Sequence, residues 1–144
     1  MSDMLFSKQS VPMYLSVWKR MKEGQELTGD AEMIAEVMQG HSEFDPFWTQ
    51  GEKAFQPQEI DGYMVNPLVH TGLHVVIEKQ LLNQEPEEVV LALNALMGKG
   101  FSRHEAIHKL VALWGDLYFR SVRRGNPMEE WTYIEGLKTF FPET

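Results

Sequence analysis

Cysteine is absent from the 144-residue chain. Its absence excludes disulfides, thiolate metal sites and cysteine nucleophiles, so any metal must be held by nitrogen and oxygen. Long apolar runs are missing too, and none approaches the ~18–20 residues needed to cross a bilayer. The segment MSDMLFSKQS has no basic stretch followed by an apolar one, so no signal peptide is expected. A cytoplasmic, water-soluble protein with no membrane partner is the expectation.

Positive charge is scarce. Lys and Arg number 13 against 21 Asp and Glu, a net charge of −8. Phosphates would be repelled, so no nucleic-acid partner is expected. The one basic cluster, Arg120, Arg123 and Arg124, suits the C-terminal end of a helix dipole better than an anion site. The common catalytic templates are also lacking. There is no G-x-S-x-G, no phosphate-binding G-x-x-x-x-G-K-[ST] and no G-x-G-x-x-G after a strand. Asp30, Asp45, Asp61 and Asp116 form no spaced pair.

What is present suits an ordinary globular domain: 43% hydrophobic and 24% charged residues. A chain of this length buries roughly 70% of its extended surface, so no metal is needed merely to hold it together. Residues 1–144 are read as a single helical domain. The fold class is all-α, a bundle of about six helices with one long irregular connection. Ser10 and Pro12 open a helix that stops at Gly24. A second runs from Thr28 to Gly40. From His41 to Val65 the periodicity breaks at Pro46, Gly51, Pro57 and Gly62, with a short helix near Pro46–Gln50. Asn66-Pro67 starts a helix to about Asn83. Another covers Glu87 to Met97, and Ser102 caps a long one to Arg124, stopped by Gly125. Asn126-Pro127 repeats the Asn-Pro start for a last helix to about Phe140.

Histidine carries the chemistry. Four of the five histidines form two H-x-x-x-H pairs, His70/His74 and His104/His108. Residues four apart share a helix face one turn apart, the spacing that offers two imidazoles to one ion. His70 and His74 fall in the apolar arc of Val69, Leu73, Ile77 and Leu81, opposite Thr71 and Lys79. His104 and His108 align with Val111, Gly115 and Val122, opposite Glu105, Lys109, Asp116 and Arg120. With a short helix between them, the two histidine helices are expected to run parallel, both pairs within the first two or so turns of ~5.4 Å. Four inward imidazoles need partners, because an unpaired buried polar group costs about 1–3 kcal/mol. A metal, other polar groups or water would each serve. Imidazole suits zinc, iron, nickel and copper.

His104-Glu105-Ala106-Ile107-His108 also matches H-E-x-x-H, in which the histidines bind zinc and the glutamate is the general base. A second explanation covers the glutamate. Ser102-Arg103-His104-Glu105 is a capping box, and Glu105 precedes Lys109 by one turn. Glu78 continues the first histidine line and is a candidate ligand, or an acceptor that orients one.

Asn66-Pro67-Leu68-Val69-His70 through His74 and Glu78-Lys79-Gln80-Leu81, followed by Gly100-Phe101-Ser102-Arg103-His104-Glu105-Ala106-Ile107-His108, resembles the bacterial domain of unknown function 1841 family. Leu27-Thr28-Gly29-Asp30 through Met38, ending in His41-Ser42-Glu43-Phe44, is similar to that family's upstream block, with Ser42 where the pattern has proline. The match spans about Leu27 to Arg124. The resemblance implies no activity. It implies that His70, His74, Glu78, His104 and His108 act as one unit, with His41 a further member or an aromatic-packing residue.

The resulting expectation is a metal-binding protein with His70, His74, His104 and His108 as ligands and Glu78 and Glu105 as additional or orienting groups. The metal is divalent, zinc first, with iron, nickel or manganese as alternatives. Two other readings stay open: a non-enzymatic interaction module with core histidines and a protein partner or self-association, and a metal-dependent hydrolase using HExxH.

Overall fold

A computed structural model describes residues 6–60 and 62–142. Among the described residues the chain is all-α apart from one small hairpin. The helices are α1 (Val11–Lys22), α2 (Gly29–Gln39), α3 (Asp45–Trp48), α4 (Pro67–Asn83), α5 (Glu87–Gly98), α6 (Arg103–Arg124) and α7 (Glu130–Lys138). Two compact units divide it, Met1–Val76 and Ile77–Thr144, with the boundary inside α4. Among the described residues no helix is long and apolar enough to cross a membrane.

In the first unit Tyr14, Val17, Ile34, Met38, Phe44, Trp48 and Leu68 form the core. The rings of Tyr14 and Trp48 stack at 6.0 Å. Asp45 ties α3 to α1, accepting from Trp18 Nε1 at 3.3 Å and Lys22 Nζ at 3.1 Å. Between α3 and α4 lies an antiparallel hairpin, β1 (Gln58–Ile60) and β2 (Tyr63–Val65), with Glu59 opposite Met64. Three-residue strands are too short for alternation to announce them, which is why this stretch reads as irregular in sequence.

The start of α4 follows its sequence signal, since Asn66 Oδ1 accepts from the Val69 N–H at 3.2 Å. One expectation fails. Thr71, assigned to the exposed side, is fully buried. Its hydroxyl donates to the Pro67 carbonyl at 2.8 Å, which satisfies the polar group within the helix and removes the cost of covering it.

In the second unit α5, α6 and α7 pack around Val89, Leu93, Leu96, Leu110, Trp114, Tyr133 and Leu137. The approach of α7 to α6 is close at Gly136, where a Cβ would stand 2.7 Å from Leu113 Cδ1. Tyr133 donates to Gln80 Oε1 at 2.6 Å, joining α7 to the end of α4.

The last helix begins later than Asn126-Pro127 suggests, at Glu130, after Glu129 as its cap residue. Asn126 is used elsewhere. Its N–H reaches back to Ser121 O at 3.0 Å across Gly125, which has φ +72°. That bond closes the C-terminus of α6 with a glycine in the left-handed region.

Candidate metal centre

The end of α2 delivers the first residue. His41 follows Gly40 and is 3% exposed. Its Nδ1 lies 2.9 Å from the Val37 carbonyl. A carbonyl only accepts, so Nδ1 carries the proton, and in the neutral ring Nε2 is the nitrogen with a lone pair that could accept or coordinate. The ring stacks on Phe44 at 5.3 Å and 16°. Phe44 also meets the His70 ring edge-on at 5.5 Å.

The first two turns of α4 supply the next pair. His70 is half-buried and His74 is 3% exposed. Their Nε2 atoms stand 3.1 Å apart. Two nitrogens held ~2.0–2.1 Å from one tetrahedral zinc are separated by roughly 3.3 Å, so the pair already has the spacing of two ligands. The His41 ring lies 5.0 Å from that of His70 and 4.5 Å from that of His74. One ring nitrogen from each of the three falls within 4.8 Å of the others. A largely buried, all-imidazole trio is thus formed from the end of α2 and the start of α4, with Phe44 packed on two of its rings.

His104 and His108 lie in the second unit, at the start of α6, with ring centroids 4.2 Å apart. His108 is half-buried and His104 is exposed. The expected inward stripe holds at Val111 and Gly115, which are buried, but not at its ends, His104 and Val122. A helix of 22 residues is about 33 Å long. Ala106 and Ile107, in the same first turns as His104, are buried, so the covered arc of the helix lies to one side of His104.

The two glutamates have other partners. Glu105 completes the capping box: its N–H donates to Ser102 Oγ at 3.1 Å, and its Oε1 accepts from the Ser102 N–H at 2.9 Å. Those contacts with the Ser102 backbone and side chain hold the Glu105 carboxyl below the ordinary glutamate range, helped by Lys109. Glu78 accepts from both guanidinium Nη atoms of Arg103, at 2.9 and 2.8 Å. Its hydrogen bonds raise the Arg103 pKa. Arg120 pairs with Asp116 one turn back at 2.8 Å, on the exposed face of α6.

His41 is the member that sequence reasoning undervalued. Its packing on Phe44 is as anticipated, and it stands with the α4 pair as well. The available signal was the His-Ser-Glu-Phe stretch directly after α2. No curated protein and no solved structure matches the chain. The sequence profile described as Domain of unknown function (DUF1841) matches residues 7–139, and the chain belongs to that family.

Proposed function

We propose that the protein binds a divalent metal ion through His41, His70 and His74. The observation that carries this reading is the largely buried trio His41, His70 and His74, with its nitrogens gathered within 4.8 Å. Burying several imidazoles side by side is costly unless their nitrogens are satisfied, and a cation satisfies them together.

An all-nitrogen set suits zinc first, then iron, nickel or copper, with manganese a weaker fit. These ligands are neutral, so the ion keeps its full charge. If a further protein group completes the set, the centre is closed and structural. If water fills the fourth position, the ion is a Lewis acid with an open position. A zincin-type hydrolase fits less well. That mechanism needs both histidines of HExxH on the metal and the glutamate free to act as base. Here His104 is exposed and Glu105 is occupied by its cap.

The deciding experiment is elemental analysis of untagged protein beside a His41→Ala/His74→Ala double variant. A single metal ion per chain, lost in the variant, is the expected result. A metal-free protein whose stability ignores both chelator and added metal overturns the reading.

A further inference from the structure

The α6 histidines resemble the α4 pair in everything but cover. His104 and His108 stand one turn apart on one helix, with ring centroids 4.2 Å apart and ring planes inclined at 63°. In the α4 pair the centroids are 4.7 Å apart and the planes inclined at 55°, and the Nε2 atoms meet at 3.1 Å. The same spacing thus produces the same close approach of two rings on both helices. His74 is 3% exposed, whereas His104 is exposed and His108 half-buried. An ion in water can reach the α6 pair directly.

The turn that carries His104 is also stiffened. A first turn frays unless its amide groups find partners. Here Ser102 and Glu105 exchange both bonds of a capping box, so His104 is presented from a fixed backbone. Only side-chain rotation is lost when an ion bridges the pair. Once one imidazole has bound, the other acts at a high effective concentration. The positive end of the helix dipole works against a cation at this position, and the Glu105 carboxylate, held at the same end, opposes it. Because Glu105 stays in its cap, the pair can hold an ion without the hydrolytic chemistry of HExxH.

We propose that His104 and His108 form a second, exchangeable cation site on α6, whose preferred ion is copper(II). The site is built from one helix of the unit Ile77–Thr144 and takes no ligand from His41, His70 or His74. Two neighbouring imidazoles supply adjacent nitrogens and water fills the remaining positions, a nitrogen-and-oxygen set that suits tetragonal copper(II). Copper(II) also stands highest in affinity among the divalent first-row ions for such a set, with nickel and zinc below it. Two protein ligands on an exposed turn release the ion readily, so it is present at equilibrium and lost on desalting.

Equilibrium dialysis of metal-stripped, full-length protein against copper(II) chloride tests this. The native protein is expected to take up two copper ions per chain. His104→Ala, a change at an exposed position, is expected to weaken one of them about a hundredfold and leave the other unaltered. His104→Ala/His108→Ala and His41→Ala/His74→Ala should each retain one ion, and only the ion left in the second of these should be lost on desalting. Far-UV circular dichroism checks that the variants keep their helices. Unchanged affinity for both ions in a folded His104→Ala protein overturns the site. A single ion in the native protein that is lost in both double variants also overturns it, since one centre would then use both sets of histidines. A single ion lost only with His41 and His74 does the same. A single ion lost only with His104 and His108 supports the α6 site and overturns the reading of the first unit instead. No copper uptake by the native protein overturns both.

Discussion

The Nε2 atoms of His70 and His74 face each other at 3.1 Å, one helical turn apart. Without a metal, one of them must donate a proton to the other. A cation entering between them replaces that shared proton with two coordinate bonds at nearly unchanged spacing. The α4 pair is preorganised, and little side-chain freedom remains to be lost on binding.

A metal that binds the folded chain stabilises it by mass action. At a free concentration a hundredfold above Kd the gain is about 2.7 kcal/mol, which raises Tm on the order of 10 °C for a chain of this size. Calorimetry of stripped protein titrated with zinc measures the shift. In His74→Ala the shift should vanish, and a chelator should reverse it in the native protein.

His41 has two jobs that substitution separates. His41→Gln keeps a polar group at this position but loses the stacked ring and the fixed tautomer. Removing groups that fix ligand geometry typically weakens metal binding about 10- to 100-fold, and loss of a direct ligand should reach at least that. Competition against a chromogenic chelator gives the number. Unchanged affinity in a well-folded variant would leave His41 with aromatic packing on Phe44 alone.

The Ser102–Glu105 box is a stability device and predicts a pH dependence. Ser102→Ala should cost about 1 kcal/mol in urea unfolding. The Glu105 carboxyl is depressed in the folded chain, so its contribution is present above the unfolded glutamate pKa and is lost as pH falls through the folded value. Glu105→Gln should remove that part of the acid-side slope and leave metal content unaltered. Loss of metal-dependent activity in this variant, with metal retained, would instead restore the zincin reading.

At the other end of the pH scale Tyr133 matters. Burial pushes its phenol above the ordinary tyrosine range, opposed by the hydrogen bond to Gln80. The unfolded phenol ionises near pH 10. The Tyr133 contribution is therefore complete below about pH 10 and declines above it. Tyr133→Phe should cost about 1–2 kcal/mol at neutral pH by leaving the Gln80 carbonyl short of a donor. The same variant should flatten the alkaline loss of stability, as measured by urea midpoints from pH 8 to 11.

Much of this architecture was legible before any coordinates. Asn66 before Pro67, Ser102 three residues before Glu105, and Gly125 after Arg124 act on backbone groups within a few residues. Their effect is local, and the helices they bound are where they indicate. Asn126-Pro127 misled for a related reason. The same residue type can start one helix or finish the previous one, and the Asn126 N–H closes α6 onto Ser121.

By itself, then, the sequence determined the all-α class, most helix ends, the nitrogen-and-oxygen limit on any metal, and the two histidine pairs four residues apart. Tertiary structure decided which of those histidines are covered. Periodicity defines a face, but neighbours decide how far along a helix that face stays buried. Thr71 can be inside because its hydroxyl is bonded to the Pro67 carbonyl, and His104 is outside because the covered arc at the start of α6 is the one that carries Ala106 and Ile107. His41 joined the α4 pair through packing between residues about thirty positions apart, a relationship that no local spacing encodes.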